Sequence, residues 1–306
     1  MASRASGGAP VTAHPKAERP EASTRRYTSP RREMLGRFVR DRSAVLGFVI
    51  IAIIAFAAIA APFLAPYDPT AQTLSLRRTA PSAAHLLGMD ELGRDILSRL
   101  MYGGAQTLVS GVFAVLVGVV VGVPVGLIAG YSGGLVEATA MRFVDAMLAF
   151  PAFLLAIVIV AVLGPTLENA TIAIGIATIP GFARLVRGSV LSVRQNEYVL
   201  SAVSTGAATP RILWRHILPN VLAPIIVFST VALANAILSV AGLSFLGLGA
   251  QPPTPEWGLM LRSGREYIQE APHITIAPGV SIMLLVLAFN LVGDGLRDAL
   301  DPRLRR

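Results

Sequence analysis

The sequence predicts an all-α, polytopic membrane protein with six transmembrane helices and a disordered N-terminal tail. Three observations carry that expectation. Of the 306 residues, 54% are hydrophobic and only 14% are charged, where soluble domains carry about 25% charged residues. Mean hydropathy is +0.64, which belongs to chains that cross a membrane several times. Uninterrupted apolar runs also recur at the length of about 20 residues that a helix needs to span a bilayer.

The elements follow in order. Residues 1–33 are rich in Ala, Ser, Pro and Arg without hydrophobic periodicity, so they are read as a disordered part of a cytoplasmic stretch, 1–42. Residues 43–66 supply the first span. Ala58-Ile59-Ala60 mimics a signal-peptide cleavage site, but the polar stretch before the apolar run is too long for an n-region and the run too long for an h-region. Residues 67–101 form an extracytoplasmic loop, and 102–306 a core with five further spans. Tyr102 to Tyr131 is the second. Asp145 to Arg184 is read as two helices joined by a tight turn at Gly164, the fourth span ending near Ala183 and being the shortest of the six. Val221 to about Leu243 and Ile274 to Val292 complete the set.

Orientation is read from the basic residues, which concentrate on cytoplasmic loops. With the N-terminus inside, the segments 1–42, 131–145, 184–219 and 294–306 hold 20 of the 26 Lys and Arg; the outer loops hold only Arg77, Arg78, Arg94, Arg99, Arg262 and Arg265. The net charge of +8 therefore marks topology, and no nucleic-acid partner is expected. Cysteine is absent, which excludes a disulfide framework and thiolate metal sites. No ionisable residue lies in the central part of any predicted span. Ion-coupled carriers and proton pumps keep such residues at membrane depth, and intramembrane hydrolases need them, so the path this chain lines is expected to be neutral and weakly polar.

The second span carries a stripe of small residues, Ser110, Ala114, Gly118, Gly122, Gly126 and Gly130. Four-residue spacing keeps them along one ridge, where glycine admits another backbone closely. Packing against a neighbouring helix of the same chain is the expectation, a pore lining the alternative. Pro124 and Pro151 are expected to kink their spans.

One polar interruption stands out between spans four and five, "EYVLSAVSTGAATPRILWRHILPN", from Glu197 to Asn220. Glu197 to Thr205 can form a short helix, with Gly206 as its left-handed terminator. Thr209-Pro210 reads as N-cap and N1 of a second helix running towards His216, and Leu218-Pro219 marks the beginning of span five. Tyr198-Val199, Ala202, Gly206 and Ile217-Leu218-Pro219-Asn220 resemble the "EAA" loop of ABC importer permeases. So does nearly the whole chain: "LAPYDP", "HLLGMDELGRDILSRLMYG", "RFVDAMLAFP", "GFARLVRGSVL", "SFLGLGAQPPTPEWGLML" and "LAFNLVGDGLRDALDPRL" are similar to the second permease subunit of the dipeptide, oligopeptide and nickel branch.

The resemblance implies an ATP-driven importer of dipeptides or oligopeptides, with nickel or another small solute as the alternative cargo. It implies a homologous sister permease, two ATP-binding subunits and an extracytoplasmic solute-binding protein, in a bacterial or archaeal inner membrane with both termini cytoplasmic. It also implies that Glu197, Tyr198, Ala202, Gly206, Ala207, Ala208, Arg211, Ile217, Leu218 and Pro219 couple the chain to the ATPases. The chain itself is expected to bind no cofactor, ATP and Mg being held by the ATPase subunits. Independently, a Walker A loop needs Gly-Lys-Ser/Thr, and no glycine precedes Lys16, the one lysine. The sequence departs from the family loop in one place: the acidic residue after Tyr-Val is replaced by Leu200, followed by Ser201 and Ala202, with Glu197 about one turn earlier. Readings from other classes are an ion-coupled secondary carrier and a membrane anchor without transport.

Outside the membrane, Asp90, Glu91 and Asp95 cluster. The expectation is structural: Asp90 as a helix cap and Asp95 paired with Arg99 at i,i+4, a metal site being the alternative. "GLGAQPPTPEW" is read as an ordered loop or as part of the outer mouth. Asp294, Arg297 and Asp298 close the last helix on the inner face.

Overall fold

The computed structural model describes residues 36–300; the disorder expected for residues 1–33 falls outside them. Residues 36–40 are helical and lead into Asp41, whose side chain accepts from the amides of Ser43 and Ala44 and starts α1, Arg42–Ile59. A short α2, Ala61–Leu64, follows. The long helices are α3 (Ile96–Ser132), α6 (Leu167–Val193), α9 (Leu218–Phe245) and α11 (His273–Leu300). Between α3 and α6 lie α4 (Gly134–Leu148) and α5 (Ala152–Leu163); between α6 and α9 lie α7 (Glu197–Ser204) and α8 (Thr209–Ile212); α10 (Trp257–Gly264) precedes α11. Among the described residues the fold is all helix, with one isolated bridge between Met89 and Asp95.

Among the described residues five helices are long and apolar enough to cross a membrane, α8 and α9 counting as one. The third predicted span is the exception. It is a broken pair, α4 and α5, bent by 87°. With 12 residues, α5 reaches only about 18 Å at 1.5 Å per residue. Residues 131–145, expected as an inner loop, largely belong to α4. Here Pro151 does not kink a helix; it stands at the N-cap of α5, at the break itself, where its missing amide costs nothing. Pro124 does lie inside α3. The fourth span is not the shortest: α6 runs 27 residues, because Arg184 and Arg187, read as loop, find partners on α4 and let the helix continue to Val193.

The packing centres on α3 against α6. A Cβ on Gly122 would stand 2.7 Å from the Ile179 carbonyl oxygen and 2.7 Å from Phe182 Cβ; one on Gly126 would stand 2.5 Å from the Ala183 carbonyl oxygen; one on Gly130 would stand 2.9 Å from Val190 Cβ; Gly118 faces Thr178 and Phe182. The stripe is a backbone-to-backbone seam within the chain. Arg194, at the C-terminus of α6, donates to the carbonyl of Gly130 at 3.0 Å and so satisfies one of the acceptors that the end of α3 leaves open. α1 lies against α11 through Gly47, whose missing side chain makes room for the Ala288 carbonyl.

Candidate coupling site

The hairpin after α6 is built by local rules. α7 ends in a two-bond turn: the Gly206 amide donates to the Val203 carbonyl at 2.9 Å, and the Ala207 amide to the Ala202 carbonyl at 3.1 Å. That pattern needs a left-handed residue at its centre, and Gly206 supplies it at φ +77°. Ala208, not Thr209, is the N-cap of α8, so Thr209 is the first helical residue and Pro210 the second. Pro210 is tolerated there because first-turn amides have no intrahelical acceptor.

The second arm does not stop where the fifth span begins. α8, a π-helical turn at Leu213–Ile217 and α9 form one 37-residue helix, Thr209–Phe245. Pro219 explains the wide turn. It brings no amide, and its ring crowds the carbonyl four residues back; the turn before it opens so that the Leu218 amide donates to Leu213. Asn220 takes up the His216 carbonyl with its side-chain amide at 2.7 Å. A continuous helix therefore joins the hairpin tip to the fifth predicted span.

Three hairpin side chains, Val199, Ile212 and Ile217, are fully buried in the same cluster as Val186 and Val190 of α6 and Val221 of α9. The opposite face is apolar and open: Tyr198, Leu200, Val203 and Trp214 are exposed, Leu200 by 53% and Trp214 by 68%. Glu197, Gly206, Ala208, Arg211 and Pro219 are exposed with them; Ala202, Ala207 and Leu218 are half-buried. The ten singled-out residues thus share one hairpin but not one role. Ile217 anchors it, while Tyr198, Ala208 and Arg211 are presented outward. Trp214, missed from sequence, is the most open large hydrophobic side chain of the hairpin; its position one turn from Arg211 on the same helix was the available signal.

The C-terminal half of α6 carries two further clasps. Arg187 Nε donates to Glu137 of α4 at 2.6 Å, and Arg184 pairs with Asp145 of α4 at 2.6 Å. They fasten α4, the first arm of the bent pair, to α6.

Just before α3, the acidic cluster forms a buried ion-pair lock. Asp90 accepts from the amides of Leu92 and Arg94 in a turn, pairs with Arg94 Nε at 2.6 Å and approaches Arg99 Nε at 3.4 Å. It caps no helix. Asp95 does not pair with Arg99; it caps α3, accepting from the Ser98 amide at 2.8 Å, and holds His85 Nδ1 at 3.0 Å. The first turn of a helix offers free amides to a carboxylate, and Asp95 uses them. Among the described residues no group of His, Asp and Glu is arranged to hold a metal. Burial raises the Glu91 carboxyl above its ordinary value of 4.5, and the neighbouring Asp90 charge adds to the shift.

The "GLGAQPPTPEW" segment is ordered. Glu256 is fully buried and caps α10, accepting from Gly258 and Leu259 at 2.9 and 2.8 Å. Trp257 donates its indole N–H to the Leu100 carbonyl at 2.9 Å and lies against Gly103 and Gly104 of α3.

The comparisons with known proteins agree with this architecture. Residues 122–306 match the binding-protein-dependent transport system inner membrane component family, and residues 29–81 the N-terminal TM domain of oligopeptide transport permease C. The dipeptide transport system permease protein DppC of Alkalihalophilus pseudofirmus is 48% identical over 297 residues, covering 96% of this chain and 97% of that protein. The di/tripeptide permease protein DppC of Pseudomonas aeruginosa is 46% identical, covering 91% and 94%. The glutathione permease protein GsiD of Escherichia coli is 47% identical, covering 90% and 92%. In fold, a chain of the inward-facing MetNI methionine ABC transporter aligns with a TM-score of 0.54 at 20% identity, covering 66% of this chain and 97% of that one. The chain belongs to the inner-membrane permease components of binding-protein-dependent ABC transport systems, in the dipeptide and oligopeptide branch: a translocation subunit that works with ATPase and binding-protein components.

Proposed function

We propose that this chain imports short peptides as one of two homologous permease halves, with two cytosolic ATPases beneath and an extracytoplasmic binding protein above. ATP and Mg are bound by the ATPases and no cofactor by this chain. Both termini are cytoplasmic. The observation that carries the reading is the unbroken helix Thr209–Phe245, which links an exposed hairpin tip to the fifth span. The relatives support the cargo, being named for dipeptides, di- and tripeptides, and glutathione, itself a small peptide.

The mechanism follows from stiffness. Closing ATPases push on the exposed face of Tyr198, Leu200 and Trp214. The tip is fixed to α6 by Val199 and Ile212, so the push moves α6 and α9 as a unit rather than bending a loop. Because α3 is seamed to α6 through its glycines, it follows, and the pore between the halves alternates its opening. With Leu200 in place of an acidic residue, the contact is largely apolar.

The test is uptake of a labelled dipeptide in proteoliposomes holding both permeases, both ATPases and the binding protein. ATP-dependent accumulation is expected, together with a short-range crosslink from Ala208→Cys to an ATPase. Accumulation driven by an ion gradient without ATP, or no crosslink in an active complex, overturns the reading.

A further inference from the structure

α9 and α11 run antiparallel with a groove between them. Its outer recess, about 690 Å³, is lined by Leu238, Gly242, Met283 and Asn290; its inner recess, about 580 Å³, by Val227, Val231 and Arg297. The register is fixed where Gly293 of α11 meets Thr230 and Val231 of α9. One turn outward on each helix brings Asn290 level with Ala234 and Asn235. Asn290 lines the outer recess, and Asn235, four residues after Val231 and three before Leu238 on the groove face of α9, stands at its height.

Their hydrogen bonds are incomplete. Asn290 Nδ2 donates to the Val286 carbonyl at 3.0 Å, which leaves its carbonyl oxygen and its second N–H open. Asn235 is exposed and has no hydrogen-bond partner among the described residues. An open amide facing lipid would forfeit its hydrogen bonds, so this face meets water or a polar partner. One and two turns inward from Asn290, Asp294, Arg297 and the adjacent Asp298 are exposed and bring charges of both signs to the inner mouth.

We propose that Asn235 and Asn290 form a polar station for the backbone of the translocated peptide, with Asp294 and Arg297 at its cytoplasmic exit matching the charges of a zwitterion. The proposal rests on the peptide-import reading above. A carrier of varied short peptides meets varied side chains but always the same peptide unit. A primary amide presents donor and acceptor together, which complements that unit whatever side chain follows. A fixed charge at this height would select by cargo charge; two neutral amides do not. Sites in a conduction path must also bind weakly enough to release, which two amides allow.

The experiment uses the full complex in proteoliposomes with labelled dialanine. Because the chain has no cysteine, Asn235→Cys can be probed with a water-borne thiol reagent against Ile237→Cys, whose native side chain is fully buried. Asn235→Cys is expected to react far faster than Ile237→Cys and to be slowed by saturating peptide. Asn235→Ala and Asn290→Ala are each expected to raise the peptide KM about fivefold, one lost hydrogen bond of roughly 1 kcal/mol. Asn235→Gln should restore part of the loss. An unreactive Asn235→Cys means lipid or the sister permease covers the groove and overturns the station, as does an unchanged KM in both alanine variants while the wild type imports dialanine. A wild-type complex that imports no peptide overturns the peptide reading itself, and the station with it.

Discussion

The amide of Ala207 donates to the carbonyl of Ala202 across Gly206, and the bond closes because Gly206 sits at φ +77°. A Cβ placed there meets nothing within 4 Å. The glycine is required by backbone conformation alone, not by space.

Gly206→Val is therefore expected to strain the turn by about 1–2 kcal/mol while the chain still inserts and assembles. Gly206→Asn, whose short polar side chain visits the left-handed region more readily, should lose less. Uptake and ATPase activity measured on the same preparations check this: valine should lower transport strongly at normal complex yield. Arg211→Glu, exposed on the second arm, should lower uptake through ATPase docking. Full uptake in both Gly206→Val and Arg211→Glu would reduce the hairpin to an ordinary loop.

The α3–α6 seam gives an opposite kind of glycine. Gly122→Ala would bring a Cβ to 2.7 Å from the Ile179 carbonyl oxygen, so the helices must part. Overpacking of this kind costs about 1–3 kcal/mol. Gly188, on the exposed face of α6, has nothing within 4 Å, and Gly188→Ala should be neutral or stabilising, since alanine favours helix by up to about 1 kcal/mol. Melting temperatures of the two variants in detergent should move in opposite directions.

Glu256 predicts a pH dependence. Burial raises its carboxyl above the ordinary 4.5, although the Gly258 and Leu259 amides and the Ser244 side chain pull the other way. A raised carboxyl binds its proton more tightly folded than unfolded. Its stabilising contribution is complete below pH 4.5 and is lost as pH rises through the folded value. Glu256→Gln keeps the shape and has no proton to lose. The variant should gain stability relative to the wild type as pH rises from 4 towards neutrality, read as the difference in melting temperature at each pH. A constant difference would mean that Glu256 is not desolvated.

Topology is directly testable in a chain without cysteine. Ser75→Cys should react with an impermeant thiol reagent from outside, and Thr209→Cys only after the membrane is opened. Both positions are exposed, so accessibility depends on side alone. Labelling of Thr209→Cys from outside would invert the orientation and remove the hairpin from the ATPases.

Legibility in the sequence followed the range of the interactions. The turn at Gly206 was readable because its geometry depends on six consecutive residues. The start of α8 was misread by one position, since either Ala208 or Thr209 can precede a proline-bearing first turn, and nothing local separates them. The broken third span was not readable. Residues 145–163 have the composition of a crossing helix, and the 87° bend at Pro151 is held by Glu137 and Asp145 pairing with Arg187 and Arg184, residues 50 and 39 positions away. The acidic cluster was misread for a different, local reason: an i,i+4 rule paired Asp95 with Arg99, but Asp95 instead caps α3 through the free amide of Ser98.

By itself the sequence determined the membrane class, the number of apolar segments, the small-residue ridge and the helix–glycine–helix hairpin, because hydropathy, spacing and turn chemistry are local and additive along the chain. The tertiary structure alone decided which helix the glycine ridge meets, that the hairpin's second arm is continuous with the fifth span, and that Asn235 and Asn290 share a height. Those depend on how helices far apart in sequence slide and rotate against one another. Close packing fixes that register, as Gly293 against Thr230 shows, and no single segment contains the information.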